Sequence, residues 1–141
     1  MITHRLKNDI LYVHLSEHVN GLQMLDSYRY RLEHFGSGLF TIVTFDENLH
    51  TPPLMKEFQE QFRKVKISID DSQPRWMFFY VFRNRPEIQH FIDFLLSTFD
   101  TKGFFFWKTE SVEKAEGLIN GLRKSGRIEQ EGFIPWARAS L

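Results

Sequence analysis

None of the 141 residues is a cysteine, which removes disulfides, thiolate metal sites, thiol nucleophiles and iron–sulfur ligation together. That usage fits a reducing compartment, and a cytoplasmic location is expected. Neither sign of charge is in surplus, with 18 Lys and Arg against 18 Asp and Glu. A nucleic-acid surface needs a basic excess on one face, so no nucleic acid is expected as a partner. Long apolar runs are missing too. Nothing approaches the ~20 residues that a membrane-spanning helix needs, and Met1 to Arg5 lead into alternating polar and apolar residues rather than a signal peptide's apolar core.

Catalytic and metal motifs are equally scarce. There is no Gly-x-Ser-x-Gly elbow, P-loop or Gly-x-Gly-x-x-Gly, and Gly36-Ser37-Gly38 lies between a helix and a strand, the wrong context for a phosphate cradle. The six histidines include no helical His-x-x-x-His pair and no cluster at ligand spacing, since His14 and His18 fall on a strand and its end. No metal, no cofactor and no enzymatic activity are expected.

What the chain does have is aromatic mass, with 15 Phe, 4 Tyr and 3 Trp making 16% of the sequence. Each such ring buries on the order of 150–250 Å². The surplus either fills a core or lines an apolar groove or dimer face. The length suits one domain.

Hydrophobic periodicity orders the elements. Ile2 to Leu6 and Ile10 to Leu15 read as strands joined by a Lys7-Asn8-Asp9 turn. Leu11, Val13 and Leu15 point to the core, and Ile10, Tyr12 and His14 point the other way. Leu22, Leu25, Tyr28, Leu32 and Phe35 step by three or four and predict a helix, with Asp26, Arg29, Arg31 and Glu33 outside its buried stripe. A strand over Leu39 to Phe45 follows, then a helix marked by Leu54, Phe58, Phe62 and Val65. Trp76 to Phe82 is a buried strand, and Asn84 is a candidate N-cap for a helix with Ile88, Phe91, Ile92, Leu95 and Phe99 inward. Phe104 to Trp107 is the last strand. Thr109 is a candidate N-cap for a final helix that buries Val112, Ala115, Ile119 and Leu122. Residues 127–141 form a C-terminal tail in which Phe133, Ile134 and Trp136 need cover of their own, from this chain, a second copy or a partner. Strands alternating with helices imply a mixed, mostly parallel sheet with an N-terminal β-hairpin and four helices.

This order, the early hairpin followed by Val19-Asn20-Gly21-Leu22, and the run Phe104-Phe105-Phe106-Trp107-Lys108-Thr109-Glu110-Ser111-Val112-Glu113-Lys114-Ala115 resemble the STAS domain, in particular its SpoIIAA-like branch. The resemblance runs from about residue 2 to 125, and the domain it implies is residues 1–126. It implies a binding role rather than catalysis, since such domains serve as anti-sigma-factor antagonists, transporter tails and sensor modules. Regulated members carry a phosphorylatable Ser or Thr before the helix after the third strand. The matching loop here, Asp46 to Pro53, lacks the family's Asp-x-Ser-Gly, and Thr51 is its one hydroxyl.

Ligands in such sheets bind beyond the carboxyl ends of the strands. Asp46, Glu47, Asn48, His50 and Thr51 follow one strand there, and Arg83, Asn84 and Arg85 follow the next. They are read either as an anion site or as a solvated, salt-bridged rim. Candidate contact residues are therefore Asp46, His50, Thr51, Arg83, Arg85, Phe133 and Trp136. The expected function is a protein-interaction or regulatory domain that binds an unknown protein or forms a homodimer. The alternative is a carrier or sensor of a small apolar ligand such as a lipid.

Overall fold

A computed structural model describes residues 1–19, 21–35, 40–49, 76–98 and 104–125. The expected helix from Leu54 to Val65 and the tail with Phe133 and Trp136 lie outside those residues. Within them are five strands, β1 (Ile2–Lys7), β2 (Ile10–Leu15), β3 (Phe40–Phe45), β4 (Trp76–Val81) and β5 (Phe104–Thr109). Three helices accompany them, α1 (Gly21–Phe35), α2 (Pro86–Thr98) and α3 (Val112–Ser125). The described residues thus hold three helices against the four expected.

The strands lie in sequence order, β1-β2-β3-β4-β5, with β1 antiparallel to β2 and every other pairing parallel. The hairpin forms because Asn8 and Asp9 both adopt positive φ, 52° and 60°, the conformation a two-residue turn needs to match strand twist. The register aligns Tyr12 with Ile42, Ile42 with Phe79 and Phe79 with Trp107 on one face. On the other it aligns Val13 with Val43 and Val43 with Tyr80.

The first face is covered by α3. Ile10, Phe40, Ile42, Met77, Phe79 and Trp107 pack there against Ala115, Ile119 and Leu122. The Phe79 and Trp107 rings stack 4.7 Å apart at 8°. This is where part of the aromatic surplus goes, and it goes to core.

On the second face, Val13, Leu15, Val43, Phe78 and Tyr80 meet Met24, Ser27 and Arg31 of α1 and Phe91 of α2. Phe45 lies edge-on to Phe82 and Phe91, at 6.3 and 6.4 Å between centroids. The enclosed space among these groups is about 10 Å³, room for one water at most.

Three expectations change here. Arg31, expected off the buried stripe, is 4% exposed. Its Nε donates to the Ser27 carbonyl at 3.4 Å and its guanidinium lies 5.0 Å over the Phe78 ring, which is how a long cationic side chain is accommodated inside. The side chains of Leu22, Leu25, Tyr28, Leu32 and Phe35 lie outside the described residues. Asn84 is not the cap of α2, because its φ of 50° makes it a turn residue. The Arg85 carbonyl instead accepts from Ile88 and Gln89, with Pro86 in the first helical position. Thr109 is not the cap of α3. It ends β5, buried, and Ser111 Oγ accepts from the Lys114 amide at 3.1 Å.

Candidate binding surfaces

Parallel pairing of β2 to β5 brings their carboxyl ends to one rim of the sheet. Asp46, one residue past β3, is the organiser there. Its carboxylate accepts from the Asn48 amide at 3.0 Å and lies 3.4 Å from His14 Nε2. The Asn48 bond first, and His14 second, hold its carboxyl below the usual aspartate range. His14 Nδ1 meets Thr44 Oγ1 at 2.7 Å, so Thr44, His14 and Asp46 form a chain of contacts across β2 and β3.

Arg85 does reach this loop, as its sequence position suggests. It does so through the Asp46 carbonyl, to which Nη1 donates at 2.9 Å, while Nε donates to Glu87 Oε1 at 2.9 Å. One cation thereby ties the β3 loop to the start of α2. Arg83 is exposed and contributes its charge near Glu110 rather than near Asp46. His50, Thr51, Phe133 and Trp136 lie outside the described residues. The rim therefore unites Asp46 and Arg85 and leaves Arg83 apart. An open cleft of about 420 Å³ beside it is lined by Phe82, Asn84, Arg85, Pro86, Gln89 and Lys108, with Lys108 Nζ 5.0 Å over the Phe82 ring.

A larger recess lies at the other edge of the sheet, where the hairpin meets α1. This groove of about 600 Å³ runs between Met1, which precedes β1, Ile2 and His4 of β1, Glu17 and His18 of the β2–α1 connection, and Gln23, Asp26, Ser27 and Tyr30 of α1. Each wall has a local cause. Glu17 takes φ of 58° and is fixed by its amide donating to Asn48 Oδ1 at 3.1 Å. The N-terminal ammonium donates to the Ser16 and His18 carbonyls. The His4, Tyr30 and His34 rings form a wall, with centroids 4.8 and 4.2 Å apart.

His4 shares a 2.8 Å hydrogen bond with the buried Ser27 hydroxyl. Burial first, and the nearby Arg31 charge second, push its imidazole down to about 4, so the ring is uncharged near neutrality. Sequence reading passed over this groove. Its residues come from three separate segments and match no motif, and Ser27 and Arg31 look like solvent-facing residues until the helix is placed.

On the α3 face, the Tyr12 hydroxyl donates to Glu116 Oε2 at 2.6 Å. Desolvation first, and that carboxylate second, push Tyr12 up to about 12. Among the described residues no group of three or more His, Asp or Glu side chains could hold a metal ion. No helix there is long and apolar enough to cross a membrane.

Compared with family models, curated proteins and solved structures, the chain matches none.

Proposed function

We propose that the chain is a non-enzymatic protein-interaction or regulatory domain of the STAS/SpoIIAA-like kind. An opening antiparallel hairpin, a parallel run after it and helices between strands form a general α/β arrangement compatible with that reading. The observation that carries the choice between an interaction module and a carrier of apolar molecules is the packing of the described interior. Between sheet and helices α1 and α2, the enclosed space is about 10 Å³, whereas pockets for small organic ligands run to roughly 300–1,000 Å³. Among the described residues the roomy recesses lie at the surface, and polar and charged side chains share in lining them.

Native mass spectrometry of protein purified without denaturing steps tests this reading. The expected spectrum shows the bare chain, as monomer or dimer. A retained lipid-sized mass would overturn the reading in favour of the carrier.

A further inference from the structure

Strand β1 stands at an edge of the sheet and lacks most of what keeps such edges from pairing. Among the described residues it is the outermost strand and pairs with β2 alone. Its two-residue turn, closed by Lys7 and Ile10, makes Thr3, Arg5 and Lys7 the residues that bond to β2, in step with the Ser16 amide bonding to the Met1 carbonyl. Ile2, His4 and Leu6 therefore turn their backbone N–H and C=O groups outward, a template for another strand. The strand has no proline, and its register with β2 runs without a bulge. Arg5, which could shield the edge, lays its guanidinium back across the sheet, 5.2 Å over the Tyr12 ring.

Apolar surface gathers at the same place. Met1, Leu6 and Tyr30 are three of the four large hydrophobic side chains exposed among the described residues, the fourth being Leu118 on α3. Pleating puts Ile2, His4 and Leu6 on the α1 face of the sheet, where Ile2 and His4 wall the groove and Tyr30 lies 4.8 Å from the His4 ring. Along these outward positions the order apolar, neutral, apolar reads the same in both directions. Two such edges laid antiparallel about a twofold axis at His4 set Ile2 against Leu6 of the second copy, and Leu6 against its Ile2. The facing imidazoles bring no like charges together, since burial keeps each ring uncharged near neutrality. Zero formal net charge adds no repulsion between whole copies. Moving the axis one residue toward the turn would instead set the two Arg5 residues directly opposite each other, which disfavours that register.

We infer that β1 is a homodimerisation edge, pairing antiparallel with β1 of a second copy so that two five-stranded sheets become one and each Leu6 enters the other copy's groove beside Ile2. The inference rests on the interaction-module reading and names the partner as the chain itself. Three facing residue pairs, each exchanging two bonds, supply about six backbone hydrogen bonds. The edge is about 20 Å long, and the flank of α1, a helix about 10 Å across, lies above it. Together they offer roughly 500–700 Å² per copy, near the lower end of what a specific dimer needs. A dimer dissociating in the micromolar range is the consequence.

The test is sedimentation equilibrium of the full chain from about 1 µM to about 1 mM, with amide hydrogen exchange measured at both ends of that range. The expected result is a concentration-dependent dimer in which the Ile2, His4 and Leu6 amides gain protection. The Thr3, Arg5 and Lys7 amides, already bonded to β2, should not change. Leu6→Lys should weaken the dimer at least about tenfold. Leu6→Pro, which removes an outward N–H without touching the β2 ladder, should do the same. Leu118→Lys, on α3, should leave the dimer as it is.

A monomer throughout that range would overturn the inference. So would a dimer indifferent to both Leu6 substitutions, or one lost in Leu118→Lys. Protection of the three outward amides already in the dilute monomer would overturn it too, by showing the edge covered within one chain. A lipid-sized mass in the native spectrum would instead sink the interaction-module reading, so the two failures are separable.

Discussion

The two faces of the sheet are built from different chemistry. Beneath α3, the hydrophobic cluster runs from Ile10 and Phe40 to Ile119 and Leu122, with Thr109 the buried polar residue on that face among those described and the Tyr12–Glu116 hydrogen bond at its border. Beneath α1, Ser27, Arg31 and Thr41 are buried among the apolar groups, and His4 is half-buried and uncharged. Polar groups in an interior cost stability unless each is satisfied. The α3 face reads as the part that holds the fold. The α1 face keeps polar groups beside the recess at the hairpin edge.

The largest effect that sharpens this contrast is on the α3 face. Phe79→Ala removes a fully buried ring stacked on Trp107 and should cost about 3–5 kcal/mol in urea unfolding. A loss under about 1 kcal/mol would erase the distinction between the faces.

Next comes pH. His4 has its proton affinity lowered on folding, from the ordinary 6.5 to about 4. Between those values the unfolded chain binds the extra proton, so stability falls as pH drops through that window and is fully present above it. The full linkage corresponds to about 3 kcal/mol, and partial solvation of the ring reduces it. His4→Asn should flatten this part of the stability–pH curve. Arg31→Met should move the His4 titration upward, read by imidazole proton shifts, because a positive neighbour is gone.

Smaller effects belong to single hydrogen bonds. Ser111→Ala deletes the α3 cap and should cost about 1 kcal/mol. Tyr12→Phe deletes the bond to Glu116 and should cost about 1 kcal/mol. Equilibrium unfolding reads both.

How much of this is legible in the sequence varies with the kind of signal. The hairpin is written in Asn8-Asp9, and the inward sets Leu11, Val13, Leu15 and Ala115, Ile119, Leu122 are buried as their periods require. Cap assignment fails at Thr109 and Asn84 because several polar residues stand near each helix start, and only backbone geometry selects Ser111 and Arg85. Arg31 is misread because its charge says surface, while the Phe78 face and the Ser27 carbonyl make an interior place for it. At the sheet rim, the meeting of Asp46 with Arg85 follows from adjacent parallel strands. His14 is hidden in the period of β2. The groove is hidden more deeply still, since no local pattern joins His4, Glu17 and Asp26.

The most direct test of the α3 face as the part that holds the fold is the urea midpoint of Phe79→Ala set beside that of the Glu17→Gln, Asp26→Asn double variant at the hairpin edge. The account predicts a loss of about 3–5 kcal/mol for the first and stability within about 0.5 kcal/mol of the parent for the second. A loss above about 1 kcal/mol in the double variant, or below about 1 kcal/mol in Phe79→Ala, would contradict the account.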